Sequence, residues 1–125
     1  MKTDFVEIFQ TIRASLQPYA TLGFSNRTNS ETLYDLWSDK NVEIEGRQRN
    51  EVFFASVQIH TAHVAFNYMP VYAEPEMKLV FDENLLKLLK GKSCFHIKEL
   101  DEQLLNQIEE SLAEGYRLYK EKGWV

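Results

Sequence analysis

Residues 52–68 read VFFASVQIHTAHVAFNY, two alternating runs joined at a polar turn. In the first arm Phe53, Ala55, Val57 and Ile59 share one face; in the second, Ala62, Val64, Phe66 and Tyr68 do. Strand side chains alternate between faces, so the pattern predicts a β-hairpin with one face turned to a core. A tight turn at His60-Thr61 would set Phe53 against Tyr68, Ala55 against Phe66 and Val57 against Val64. A link longer by two residues would slide these pairs and keep the faces, because the side-chain period is two. Phe54 then lies opposite the core row.

The sheet extends on both sides of this hairpin. Residues 32–37 read as a strand, Ser38-Asp39-Lys40-Asn41 as a turn, and Val42-Glu43-Ile44-Glu45 as a second, half-buried strand. Residues 46–50 turn the chain again. Met69-Pro70 leaves the sheet, since proline cannot donate to a central ladder. After a loop at Glu74-Pro75-Glu76, Asp82 is placed to cap a short helix holding Leu85, Leu86, Leu88 and Leu89, which Gly91 ends. Residues 93–98 form a further strand, with Phe95 and Ile97 inward and Cys94 and His96 on the other side.

Two helices enclose these strands in sequence. Phe5, Ile8, Phe9, Ile12 and Leu16 make one apolar stripe of a helix over residues 4–17, with Asp4 and Glu7 as a capping box and Pro18 as its stop. Residues 21–30 are polar and turn-rich, a loop. Over residues 101–122, Leu104, Leu105, Ile108, Leu112, Tyr116 and Tyr119 make a second stripe. Its acids come early and its bases late, which complements the helix dipole. Gly123 is placed to end the helix, and Trp124 to anchor its last turn. The expected fold is α+β, an antiparallel sheet flanked by N-terminal and C-terminal helices, in a single domain over residues 1–125.

Composition limits the function. The 125 residues carry 14 Lys+Arg and 19 Asp+Glu, a formal net charge of −5, which argues against nucleic acid as a partner. One cysteine rules out an intrachain disulfide framework. No apolar run approaches the ~18 residues of a membrane span, and the opening residues do not read as a signal peptide. A cytoplasmic protein without membrane contact is therefore expected.

Several motifs recur in a fixed order: Met69-Pro70-Val71-Tyr72, then Gly91-Lys92-Ser93-Cys94-Phe95, then Gly115, Tyr119 and Gly123-Trp124. Together with Glu45-Gly46-Arg47 they resemble the signature of the YdhG-like family of small bacterial domains, over roughly residues 31–125. The resemblance implies an α+β fold with terminal helices. One branch of that family is called frataxin-like and proposed as an iron chaperone, so the resemblance also implies metal handling as an alternative function.

Candidate chemistry is sparse. Gly91-Lys92-Ser93 matches the tail of a phosphate-binding loop, but Leu86 stands where that loop needs glycine, so a helix cap fits better. Cys94 and His96 share a strand face and could act as nucleophile and base, or as two metal ligands. No third orienting residue is evident, and a half-buried thiol beside a surface histidine is the simpler reading. His60 and His63 flank the hairpin turn and could hold a metal with Glu43, Glu45 or Glu51. Arg47, Arg49 and Lys40 make a mixed-charge surface with these acids, or an anion site. Trp37, Phe54, Tyr68, Tyr72, Tyr116, Tyr119 and Trp124 exceed what one face of each element can bury. The expectation is a non-catalytic module without a cofactor. It would hold a small molecule or protein partner in an aromatic-lined cleft between sheet and helices, at Trp37, Tyr68, Tyr72 and Lys92. A homodimer through the exposed side of the sheet is compatible with this reading.

Overall fold

In the computed structural model, which describes residues 1–44, 46–73, 81 and 83–125, the chain opens with helix α1 (Phe5–Leu16). Asp4 caps it, its side chain accepting from the Val6 N–H at 3.0 Å. Glu7 does not complete a capping box; it pairs with Lys2 at 2.9 Å. Ile8, Phe9, Ile12 and Leu16 are buried, as the stripe predicts. At Pro18 the chain tightens into a 3-10 turn, Gln17–Thr21.

Five strands form the main sheet. β1 (Leu33–Ser38) precedes a small two-stranded ribbon of β2 (Val42–Ile44) and β3 (Arg47–Arg49). The hairpin follows as β4 (Val52–Ile59) and β5 (Val64–Tyr68). A single helical turn, α2 (Pro70–Ala73), leaves the sheet, and a second, α3 (Glu83–Leu86), returns to it. β6 (Leu89–Lys90) and β7 (Cys94–Ile97) complete the sheet in the order β1-β4-β5-β7-β6, every pairing antiparallel. Helix α4 (Glu102–Lys122) ends the chain. The fold is thus α+β, with the expected terminal helices. Among the described residues, no helix is long and apolar enough to cross a membrane.

Three local expectations are corrected. Residues 47–49, read as a turn, are strand β3, reversed from β2 around Gly46 at φ 78°. Leu88 and Leu89 do not continue a helix: Leu89 and Lys90 pair with β7, and the Leu88 carbonyl accepts from the His96 N–H at 3.0 Å. Gly91, at φ 76°, turns between β6 and β7 and caps no helix. Here the sheet ladder outweighs a helical run of leucines. Asp82, Glu45 and the loop at Glu74-Pro75-Glu76 lie outside the described residues.

The hairpin register is the longer-link alternative. Residues 60–63 form the link, and Ala55 pairs with Tyr68, Val57 with Phe66 and Ile59 with Val64. The expected pairs have slid along the strands and kept their faces. Beyond Ala55 the phase changes. Leu36 faces Ala55 and Trp37 faces Phe53, so Phe54 is an extra residue, a β-bulge. The bulge turns Phe54 (0% exposed) and Val52 into the core. It puts half-buried Phe53 on the outer face, 5.1 Å from the Trp37 ring. Phe53 and Phe54 have exchanged their expected sides.

The edge of β1 is covered by the preceding loop, through Ser25 opposite Trp37 and Asn29 opposite Tyr34. The Asp35 carboxylate holds that loop, accepting from the Arg27 and Thr28 N–H groups at 2.9 and 2.8 Å.

The core lies between the inner sheet face and the layer of α1 and α4. Phe54 sits at its centre, stacked on Phe24 at 4.3 Å and edge-on to Tyr68 and Tyr119. The Tyr68 hydroxyl donates to the Ser111 carbonyl, and the Tyr119 hydroxyl to the Phe53 carbonyl at 2.6 Å. Burial pushes both phenols well above their ordinary range, so they remain donors. Gly115 makes room for Tyr68: a Cβ there would lie 2.8 Å from the ring and 2.9 Å from Pro70. At the end of α4, Gly123 takes φ 74° and the Trp124 N–H reaches the Tyr119 carbonyl at 2.8 Å. This turns the Trp124 ring edge-on to Tyr119 at 5.1 Å.

Gly115→Ala should therefore destabilise the protein by about 2–3 kcal/mol through overpacking. Trp124→Ala should cost about 3 kcal/mol through lost burial. Urea unfolding followed by circular dichroism reads both, and an unchanged midpoint would refute the contact concerned.

Candidate functional site

The residues expected to line one cleft are dispersed. Tyr68 is wholly buried, its ring and hydroxyl both engaged in the core, so it cannot line an open cleft. Trp37 lies on the outer sheet face, covered by the Arg27 guanidinium at 4.6 Å from its ring. Arg27 is held there by Asp39 at 2.7 Å and Glu51 at 2.6 Å. Tyr72 is 45% exposed, and the Lys92 ammonium lies 5.2 Å from its ring. Of the four, only Tyr72 and Lys92 meet.

A concavity lies instead on the outer side of the helix layer, between α1 and α4. This groove of about 970 Å³ is lined by Ala14, Pro18, Tyr19, Leu22, Ala113 and Tyr116, among others. Small side chains at Ala14 and Ala113 keep the helix surfaces low, and the 3-10 turn brings Tyr19 and Leu22 to the groove. Tyr19 and Tyr116 lie 5.7 Å apart, ring to ring. Glu7 and Glu109 are the charged residues of the lining, both acidic. Ser15 donates to Glu109 at 3.3 Å. Burial, and then the negative charge of Glu109, raises the Tyr19 phenol. The groove leaves no motif in the sequence. Its traces are outward-facing alanines on two helices and a tyrosine, Tyr116, at the margin of an apolar stripe.

The three histidines form one stack. His60 and His63 are 4.8 Å apart, and His63 and His96 3.7 Å apart with rings 12° from parallel. The hairpin link is thereby laid against β7. Burial lowers the His63 pKa, and the positive charge of protonated His96 and His60 and of Lys98 lowers it further. The stack presents ring faces, and among the described residues no group of three His, Cys, Asp or Glu is arranged to hold a metal. Cys94 shares the outer face of β7 with His96, whose ring is engaged with His63. Burial pushes the Cys94 thiol up, away from thiolate at neutral pH. Gly91-Lys92-Ser93 is the β6–β7 turn, and Arg47 and Arg49 are exposed on β3.

Two outcomes follow from these shifts. Since the folded His63 takes up a proton less readily than the unfolded chain, stability is full above about pH 6.5 and falls as pH drops below it. Melting temperature should fall by on the order of a degree or two from this group between neutral pH and pH 5, and His63→Gln should remove that part. Labelling of Cys94 by a maleimide should be slow near neutral pH and rise only in alkaline buffer; rapid labelling at pH 7 would contradict the raised thiol.

In comparisons with protein-family models, curated proteins and solved structures, no match to this chain was found.

Proposed function

We propose that the protein is a non-catalytic binding module of YdhG-like type, and that its ligand is a small molecule with an apolar body and a cationic group, held in the α1/α4 groove. The observation that carries this reading is the groove's lining, with alanines, Leu22 and two tyrosines for the apolar body and the Glu109 carboxylate for the cation, Glu7 at the rim being paired with Lys2. Cation–π attraction at Tyr19 would add to the selection, the Tyr116 ring already carrying the Lys120 ammonium at 5.8 Å. The cleft expected between sheet and helices is filled by the core, so the reading moves to the outer side of the helices. A binding role is also supported by Cys94, whose thiol is raised and whose neighbouring histidine is turned to another partner.

The alternative, a frataxin-like metal carrier using His60 and His63, has in its favour the gathering of three histidines. Against it, α1 carries a single carboxylate, Glu7, already paired with Lys2. Elemental analysis of the purified protein, with and without prior chelation, separates this reading from the first.

A thermal-shift series of alkyl- and arylamines tests the proposal. A saturable rise of a few degrees is expected at ligand concentrations well above Kd. Ala113→Phe, which fills the groove from an exposed position, should abolish the rise and leave the unliganded melting temperature nearly unchanged. Absence of any saturable rise across the series would overturn the proposal. Native mass spectrometry of the same samples reports stoichiometry and subunit number.

A further inference from the structure

We infer a second site, independent of the groove: the corner between α3, the β6–β7 hairpin and the start of α4 binds a small phosphate-bearing anion. A concavity of about 580 Å³ opens there, with Lys87, Lys90, Lys98 and His96 in its lining and Leu88 and Leu104 as its apolar part. Of the four lysines in residues 83–98, three, Lys87, Lys90 and Lys98, line the concavity, in a chain whose net charge is −5, while Lys92 lies over Tyr72. Positive charge is thus gathered in one place on an acidic protein. The fold does the gathering. Lys90 pairs opposite Cys94, so it shares the outer face with His96, two residues further along β7. Lys98 continues that row, and Lys87 approaches from the end of α3.

Among the described residues, none of Lys87, Lys90 and Lys98 makes an ion pair. Two acids, Glu99 and Asp101, also line the concavity. Asp101 is occupied as the cap of α4, accepting from the Leu104 N–H at 2.8 Å. Met1, which carries the amino terminus, also lines the concavity, and His63, stacked on His96, and His60 beyond it are the neighbouring titratable groups. The cations already disfavour one another: Lys98 and His96 both oppose protonation of His63. An anion bound among them relieves that repulsion. Lysines arriving from separate elements act as point charges around a space wider than one carboxylate. This suits the several oxygens and double charge of a phosphate group, with Leu88 and Leu104 to receive an organic remainder.

The histidines serve as reporters. A bound anion stabilises imidazolium, so affinity rises as pH falls through the histidine range, and ligand raises the histidine midpoints in return. The experiment is an NMR titration of the three imidazoles with and without inorganic pyrophosphate, against sodium chloride of equal ionic strength. Pyrophosphate is expected to raise the His96 and His63 midpoints saturably by about half a pH unit or more. Lys90→Gln with Lys98→Gln should weaken pyrophosphate binding roughly tenfold, while Lys120→Gln with Lys122→Gln, on the far end of α4, should leave it unchanged. Midpoint shifts equalled by chloride, or equal losses in the two double variants, would overturn the site in favour of diffuse charge screening.

Discussion

The Tyr68 side chain crosses the core from β5 and donates its hydroxyl to a carbonyl of α4, at Ser111. A buried phenol left without an acceptor would cost on the order of 1–3 kcal/mol, so the contact is close to obligatory once Tyr68 is inside. It needs a helix backbone within reach, which Gly115 permits by having no side chain. The depth of α4 over the sheet is thereby fixed. Tyr119 repeats the device about two turns further along the helix, donating to the Phe53 carbonyl. With α4 set at two points, α1 can only lie beside it, burying Ile8, Phe9, Ile12 and Leu16 against β4 and β5. The groove between the two helices is a by-product of that placement.

The bulge at Phe54 is the second constraint. Without the extra residue, strict alternation would send Phe54 to the outer face and Phe53 to the core. With it, Phe54 meets Phe24, Tyr19, Tyr68 and Tyr119. The aromatic excess is therefore resolved largely inside the protein. The outer face receives the Trp37–Phe53 pair, under a guanidinium held by two carboxylates.

Much of the fold was legible in the sequence because periodicity reports which face is buried. The stripes of α1 and α4, the alternation of β5 and the inward pair Phe95 and Ile97 all belong to this class. A bulge is invisible to it, since one added residue changes the phase without changing composition. Short elements escaped for a related reason: Leu89 and Lys90 are strand because β7 is beside them, a fact of tertiary pairing. The candidate site was less legible. Tyr68 and Trp37 have the chemistry of ligand contacts, but one is held by Ser111 and the other by Arg27. The groove is assembled from positions far apart in the chain, and the lysine corner from one short stretch folded back at the β6–β7 turn, each residue unremarkable alone. For the three histidines the sequence did place two members near each other, at His60 and His63.

The sheet's two margins bear on how the protein behaves in a crowded solution. On the β1 side, the main-chain groups of Trp37 bond to Ser25, and the Asp35 N–H to Thr28. On the other side β6 is two residues long and ends at a lysine and a glycine turn. Neither margin offers a long bare ladder on which a neighbouring chain could template β-structure. Edge addition, by which open-ended fibrils grow, is thus disfavoured at these two margins of the folded sheet.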